Sequence, residues 1–104
     1  MFTTIWEYEV PAGRREAFIN VYGAAGRWAI LFRRSPGYLG TMLLHDLGDP
    51  DRFLTLDRWE SRQAFEAFLA ANRADYDALD RETAGLTIRE RHLGFVTPEA
   101  GAHP

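Results

Sequence analysis

Alternating apolar and polar positions divide the chain into four predicted strands. Residues 3–10 are rich in β-branched and aromatic side chains and stop at a Pro-Ala-Gly turn, which predicts a first strand. Residues 38–47 and 52–59 show the same pattern, and the Gly48-Asp49-Pro50-Asp51 stretch between them is typical of a hairpin turn. Residues 87–96 predict a fourth strand.

Two segments instead repeat their apolar residues at helical spacing. Residues 14–34 form one of them, but Gly23 and Gly26 interrupt it. Because glycine costs about 1 kcal/mol relative to alanine inside a helix, we predict a break or kink there. The second segment follows Ser61, a good helix N-cap, and ends near Gly85. Its Arg73–Asp77 pair, at i,i+4 spacing, is expected on the outer face of the helix.

The predicted order is β-α-β-β-α-β, which is the ferredoxin-like α+β arrangement. One four-stranded antiparallel sheet would carry both helices on one face. A chain of 104 residues is expected to form one domain. We assign residues 1–96 to that domain and residues 97–104 to a flexible C-terminal tail.

The strand period then predicts which residues share a face of the sheet. If the turn pairs Leu47 with Arg52, His45 lies on the opposite face from Asp57 and Trp59. The face that carries Trp59 would also hold Tyr38, Gly40, Met42, Leu44, Phe53, Thr55 and Asp57, with Gly40 opposite Trp59. Both faces carry apolar residues, yet helices can cover only one of them. We therefore predict a homodimer formed through the uncovered face of the sheet.

Charge and composition exclude several classes of partner. The formal net charge is −3, with basic and acidic residues interleaved, whereas a nucleic-acid-binding protein needs a basic face. The absence of cysteine excludes disulfides and thiolate chemistry. The N-terminal residues lack the features of a signal peptide, and the longest apolar run is too short to span a membrane. We expect a cytoplasmic protein without a membrane partner.

Neither a metal nor a nucleotide is expected from the motifs. The stretch 45–51, HDLGDPD, lacks the ligand spacing of a calcium loop and is better interpreted as a turn. His92 and His103 have no companion at ligand spacing. No glycine-rich loop leads from a strand into a helix, so the nucleotide-binding fingerprint is missing.

Three short stretches resemble one known family. PGYLG (36–40), DP-RF (49–53) and DRWES-QAF-AF (57–68) resemble the antibiotic biosynthesis monooxygenase domain. The similarity extends over about residues 3–96, and it implies a dimeric α+β barrel. The family includes cofactor-free quinol monooxygenases and haem-degrading enzymes. Fold alone does not select between such activities.

The resemblance permits a check of individual positions. Trp6, Phe68 and Ala78 stand where haem-degrading members carry their functional Asn, Trp and His, so we expect no haem degradation. Quinol oxygenases carry an Asn four residues before the strand-three Trp and a Tyr six residues after it. This chain matches the Trp as Trp59, but it has Thr55 and Phe65 at the other two positions.

The resemblance also indicates where a ligand would bind, because the family's site lies on the sheet face that carries the strand-three Trp. By that resemblance the face with Trp59, Met42 and Leu44 is the one that the helices cover. A site lined by so many aromatic side chains suits a flat, apolar, aromatic ligand. The candidate substrate-binding residues are Trp6, Trp28, Met42, Leu44, Thr55, Trp59, Phe65 and Phe68.

Asp57 is the candidate catalytic base, with Tyr8 and Tyr76 as hydrogen-bond donors. A carboxylate on the helix-covered face would have a raised pKa, which suits it to deprotonate a phenol. The alternatives are that Asp57 pairs with Arg27 or Arg33 or lies at the wet end of the sheet, and that both tyrosines only pack. Trp59 likewise has a structural alternative, as a wedge between sheet and helix.

The resulting hypothesis is a monooxygenase that needs no bound cofactor and acts on a small phenolic or quinol-like compound. A flavin supplied by another protein is left open. The alternative is a non-enzymatic, dimeric ligand-binding or accessory module that uses the same aromatic cavity.

Overall fold

The computed structural model describes residues 1–99, and its fold is the predicted α+β arrangement. Residues 100–104, most of the predicted tail, lie outside that range. The antiparallel sheet has the spatial order β2-β3-β1-β4. Its strands are β1 (Phe2–Glu9), β2 (Tyr38–His45), β3 (Arg52–Trp59) and β4 (Arg89–Val96), and its helices are α1 (Arg15–Tyr22), α2 (Arg27–Phe32) and α3 (Arg62–Thr83). No helix in the described range is both long and apolar enough to cross a bilayer.

The predicted break in the first helical segment is confirmed, because α1 ends at Tyr22 and α2 starts at Arg27. Gly26 explains the break in steric terms. A Cβ at this position would lie 2.3 Å from the carbonyl oxygen of Val21. The chain therefore passes too close to itself at Gly26 for any side chain, and the two short helices can pack at different angles.

Helix α3 is capped as predicted and is interrupted halfway. The Ala64 amide donates a hydrogen bond to the Ser61 hydroxyl at 3.1 Å. Asn72 departs from helical geometry, with φ −126° and ψ 21°, and its side-chain amide donates to the Phe68 carbonyl at 3.0 Å. The helix thus consists of two halves joined at Asn72.

The pairing of β2 with β3 differs from the prediction by one residue. Asp46, rather than Leu47, lies opposite Arg52, and its amide donates to the Arg52 carbonyl at 3.0 Å. The carboxylate of Asp46 accepts from the amides of Gly48 and Asp49 at 2.7 and 3.2 Å. This local side-chain cap starts the turn earlier than its composition suggests. A one-residue slip moves every side chain of a strand to the other face.

The shift reverses the predicted orientation of most of β2. Met42 and Leu44 pair with Leu56 and Leu54 on the uncovered face, so their predicted place under the helices is wrong. Thr41 lies opposite Asp57 instead. His45 lies opposite Phe53 and stacks on its ring at 4.2 Å.

His45 therefore shares the helix-covered face with Asp57, and its predicted separation from Asp57 is wrong. The predicted pairing of Gly40 with Trp59 is also wrong, because Gly40 pairs with Arg58. An irregularity at Leu39 leaves that residue unpaired and brings Tyr38 opposite Trp59.

Trp59 occupies the centre of the core at the join of β3 and α3. Its side chain is fully buried. Its indole contacts four rings with centroid distances of 5.2–5.5 Å, those of Phe32, Tyr38, Phe65 and Phe68. Trp59 therefore packs as a wedge between the sheet and α3, which was its structural alternative.

The face of the sheet opposite the helices, which we call the open face, combines apolar and charged residues. Met42 and Leu44 are 47% and 37% exposed there, and half-buried Ile5, Leu54 and Leu56 lie beside them. At one end Arg52 and Arg91 both pair with Glu7, at 2.7 and 3.2 Å. The apolar part of this face has no covering element in residues 1–99.

Candidate active site

A cavity of about 270 Å³ lies between the helix-covered face of the sheet and the helices. Its walls are mostly aromatic, with a few hydroxyl and carboxyl groups on the floor and acidic groups at the rim. The lining residues are Trp6, Tyr22, Trp28, Phe32, Thr41, Thr55, Asp57, Arg73, Tyr76, Asp77, Asp80 and Glu90.

The floor of the cavity is built by cross-strand pairs at the centre of the sheet. Thr55 lies opposite Trp6 of β1, and Asp57 lies between Thr4 of β1 and Thr41 of β2. Because side chains alternate along a strand, Thr55 and Asp57 must project from the same face of β3. That face is the helix-covered one, since both residues are buried.

Asp57 is a buried carboxylate without a charged partner. It is only 7% exposed and accepts a hydrogen bond from the Thr41 hydroxyl at 2.6 Å. Within residues 1–99 it forms no ion pair. The two arginines considered as partners bind elsewhere, because Arg27 pairs with Glu82 and Arg33 donates to the Ala24 carbonyl at 2.9 Å. Burial raises the pKa of Asp57 to about 6, although the Thr41 hydrogen bond opposes the shift.

The aromatic walls carry two polar atoms that can donate hydrogen bonds. Trp28 meets Tyr76 edge to face at 5.0 Å. Burial raises the pKa of Tyr76 to about 12, so its hydroxyl keeps its proton at neutral pH. The indole Nε1 of Trp28 is also buried, and it meets no acceptor at hydrogen-bond geometry in residues 1–99.

The rim of the cavity is mainly negative. It contains Asp77, Asp80 and Glu90 and a single cation, Arg73. Arg73 pairs with Asp77 at 3.5 Å, and its guanidinium lies 5.6 Å from the centre of the Tyr76 ring. This ion pair therefore belongs to the cavity entrance rather than to the outer face of α3, where its spacing placed it.

The structure brings together five of the residues predicted to contact a ligand: Trp6, Trp28, Thr55, Asp57 and Tyr76. The others do not line the cavity. Tyr8 lies next to Thr55, with their hydroxyls 3.3 Å apart. Trp59, Phe65 and Phe68 belong to the core, and Met42 and Leu44 lie on the open face.

Thr41 and the rim acids Asp80 and Glu90 were missed by the sequence analysis. Thr41 depends on the register of β2, which the turn at Asp46 sets. Glu90 pairs with Tyr8 on the helix-covered side of β4, and strand parity in β4 would have indicated it. Asp80 lies four residues after Tyr76 on α3, so helical spacing would have indicated it.

The cavity offers no evident metal site, since no group of three His, Asp or Glu side chains within residues 1–99 could hold an ion. Its aromatic walls and single buried carboxylate suit an uncharged organic molecule with one acidic hydroxyl. Such a molecule could lose its proton to Asp57 in a site shielded from water.

The four-stranded antiparallel sheet, with its helices on one face, defines a ferredoxin-like α+β protein with an aromatic cavity. The chain belongs to the antibiotic biosynthesis monooxygenase family, whose sequence model matches residues 1–75. No match to a curated protein sequence was found.

Solved structures share this fold over nearly the whole chain. A mutant of SnoaB from Streptomyces nogalater, described as a cofactor-independent oxygenase, has 24% identity and a TM-score of 0.69, covering 93% of this chain and 91% of that one. ActVA-Orf6 from Streptomyces coelicolor, a monooxygenase in complex with nanaomycin D, has 21% identity and a TM-score of 0.72, covering 99% and 91%. A protein from Methanosarcina mazei Go1 has 9% identity and a TM-score of 0.69, covering 94% and 92%.

The raised pKa of Asp57 predicts a pH-dependent loss of stability. The folded protein holds this proton more tightly than the unfolded chain, whose carboxyl has its ordinary pKa of 3.8. The free energy of unfolding should therefore fall, by up to about 3 kcal/mol, as the pH rises from about 4 through about 6. Asp57→Asn removes this titration, so its stability relative to the unmodified protein should increase between pH 4.5 and pH 7.5.

Urea denaturation at the two pH values measures this difference. Asp75→Asn is the matched control, because it removes an exposed carboxylate outside the cavity. A stability difference for Asp57→Asn that does not change with pH would contradict the prediction.

Proposed function

We propose that the protein is a monooxygenase that oxidises a small phenolic or quinol-like aromatic compound with dioxygen and without a bound cofactor. The observation that carries this proposal is Asp57, a buried carboxylate that has no cationic partner in residues 1–99 and lines an aromatic cavity. A general base works best when its pKa is near the working pH. The pKa of about 6 is close to that condition.

In the proposed reaction, Asp57 removes the proton of the substrate hydroxyl. The resulting phenolate is electron-rich enough to react with dioxygen directly. For a naphthol-type substrate, one oxygen atom enters a ring carbon, the other leaves as water, and the product is a quinone. The substrate loses four electrons and dioxygen gains four, so no external reductant is required. The Tyr76 hydroxyl would stabilise the phenolate by donating a hydrogen bond.

The walls and the rim support a particular class of substrate. Trp6 and Trp28 offer flat surfaces against which an aromatic ring can stack. The rim acids, with only one arginine among them, disfavour a substrate that carries a carboxylate or phosphate. We therefore propose a neutral or cationic aromatic substrate.

Two structural relatives support the reaction type. SnoaB is described as a cofactor-independent oxygenase, and ActVA-Orf6 as a monooxygenase with nanaomycin D as its ligand. Both relatives are consistent with oxygen chemistry on a small molecule in this fold. A flavin supplied by another protein would change the requirement for a reductant, so each assay is run with and without flavin.

We also propose that two copies of the chain pack through their open faces. The exposed side chains of Met42 and Leu44 support this proposal, because monomers rarely leave a contiguous apolar patch uncovered. The Arg52–Glu7–Arg91 ion pairs at one end of the same face offer charges of both signs. A two-fold symmetric dimer would place each open face against the other.

The main prediction concerns Asp57→Asn. Oxygen uptake by the unmodified protein is measured with a panel of naphthols, anthrones and catechols. The substitution should lower kcat/KM by about 10²–10⁴-fold, because Asn cannot accept the proton. For the unmodified protein, kcat/KM should be half-maximal near pH 6 and level off only above it, since only ionised Asp57 is active.

Asp75→Asn is again the control and should keep full activity. Ligand binding without oxygen uptake across the whole panel would contradict the oxygenase proposal and would favour a small-molecule-binding module. An Asp57→Asn variant with normal turnover would show that another group accepts the proton.

The second prediction concerns the charge of the substrate. A naphthol that carries a carboxylate should have a kcat/KM about 5-fold lower than the neutral compound, since a like-charge contact near 4 Å costs about 1 kcal/mol in water. Asp80→Asn should narrow this difference, and high salt should do the same. Equal rates for both compounds at low salt would contradict the role of the rim.

The third prediction concerns assembly. Light scattering should give a mass of about twice 11.9 kDa at micromolar concentration. Met42→Glu places a charge on the open face and should shift the protein towards monomer. Ile30→Glu is the control, because Ile30 is also exposed, at 58%, but lies on α2. A monomeric unmodified protein, or equal effects of the two substitutions, would refute the proposed interface.

A further inference from the structure

A chain of three hydrogen-bonding groups leads from the cavity floor towards the edge of the sheet. The Thr41 hydroxyl donates to Asp57 Oδ1 at 2.6 Å, and the Tyr38 hydroxyl lies 2.5 Å from the Thr41 oxygen. Thr41 lines the cavity, whereas Tyr38 does not. Tyr38 is half-buried and lies at the start of the edge strand β2. The two ends of the chain are therefore in different environments.

The direction of the hydrogen bonds follows from counting protons. Threonine has one hydroxyl hydrogen, and Thr41 gives it to the ionised carboxylate of Asp57. The bond between Tyr38 and Thr41 must then be donated by Tyr38. Burial raises the pKa of Tyr38, so it keeps the proton that this arrangement requires. The order is Tyr38 to Thr41 to Asp57.

The backbone of β2 is irregular between Tyr38 and Thr41, and this irregularity makes the chain of hydrogen bonds possible. Residues 38 and 41 are an odd number apart, so in a regular strand their side chains would point to opposite faces. The irregularity at Leu39 adds one unpaired residue and brings both side chains to the helix-covered side. Gly40 follows with φ +142°, a conformation that side-chain-bearing residues rarely adopt. The Tyr38 ring is held by Trp59 and Phe32 at 5.2 and 5.5 Å.

The proposed reaction needs a path by which a proton can leave Asp57. In the naphthol reaction, the oxygen atom that does not enter the ring departs as hydroxide with the ring hydrogen and becomes water by taking one proton from solvent. Asp57 therefore still holds the proton of the substrate hydroxyl and must lose it before the next turnover, and no net proton is produced. While the cavity is occupied, the bound molecule separates Asp57 from the water at the rim. The chain through Thr41 leaves the cavity floor on a side that the bound molecule does not block.

We propose that Thr41 and Tyr38 form a proton relay that returns the proton from Asp57 to solvent while the cavity is occupied. The inference rests on the proposed function. In the relay, protonated Asp57 donates its hydrogen to the Thr41 oxygen, Thr41 passes its own hydrogen to the Tyr38 oxygen, and Tyr38 releases its hydrogen to water. Before this transfer the two hydroxyls rotate, so that Thr41 donates to Tyr38 and Tyr38 donates to water. One proton then leaves, and the transfer itself restores the order Tyr38 to Thr41 to Asp57. Both residues act through Asp57.

The kinetic test compares Tyr38→Phe, Thr41→Val and Thr41→Ser at saturating substrate. Tyr38→Phe keeps the ring packing but cuts the relay. It should lower kcat by about tenfold or more, towards the range that a lost proton-transfer group costs, while kcat/KM stays within about twofold. Product should appear in a burst of one equivalent per site, followed by slow turnover. Thr41→Ser keeps the hydroxyl and should retain more of kcat than Thr41→Val, which lacks it.

A second measurement does not depend on activity. Titration of Asp57 by ¹³C NMR in the ligand-free protein should show a higher pKa in Thr41→Val, because the donor to its carboxylate is lost. Tyr38→Phe should raise this pKa less, and Thr41→Ser should leave it unchanged. These shifts measure the hydrogen-bond chain whether or not a substrate is known.

The kinetic and NMR results together distinguish failure of the relay from failure of the proposed function. Equal losses of kcat and kcat/KM in Tyr38→Phe, or no loss at all, would overturn the relay. An Asp57 pKa that is the same in Thr41→Val as in the unmodified protein would also overturn the relay. The expected pKa shifts without oxygen uptake by the unmodified protein would show that the chain exists and that the proposed oxygenase function, with the relay that depends on it, is wrong.

Discussion

The pairing of β2 with β3 decides which side chains meet Asp57, and a single aspartate at the turn fixes that pairing. Asp46 caps the amides of Gly48 and Asp49 and binds Arg52 at 3.0 Å. Arg52 in turn binds Glu7 of β1 at 2.7 Å. The turn after β2, the start of β3 and the end of β1 are thereby held in one register at this end of the sheet. With any other register of β2, the Thr41 hydroxyl would not lie opposite Asp57.

The second constraint is the cost of burying Asp57. A buried carboxylate with one hydrogen bond destabilises the fold unless it is protonated. The aromatic core around Trp59, of which Phe32 also lines the cavity, supplies packing that offsets this cost. The stability of the protein and the basicity of its candidate catalytic group are therefore opposed at neutral pH. Such a conflict is more typical of a functional site than of a structural carboxylate.

The sequence was sufficient for the fold, because every strand and helix carries its own local signal. The alternation in β3 placed Thr55 and Asp57 on one face of the sheet, and the family resemblance indicated that this face carries the site, with Tyr76 and Trp28 on the helices that close it. The orientation of Met42 and Leu44 was wrong for a physical reason. A strand period determines which residues share a face, but only the turn determines which face that is. The cap formed by Asp46 outweighed the Gly-Asp-Pro-Asp composition, and Thr41 was missed as a result.

The strict alternation of β3 has an evolutionary consequence. Phe53, Thr55, Asp57 and Trp59 point towards the helices, while Arg52, Leu54, Leu56 and Arg58 point towards the open face. One strand thus contributes to the cavity and to the proposed subunit contact through side chains that do not touch one another. Substitutions that adapt the cavity to a new compound need not weaken the contact between copies. The two properties can diversify separately within eight consecutive residues.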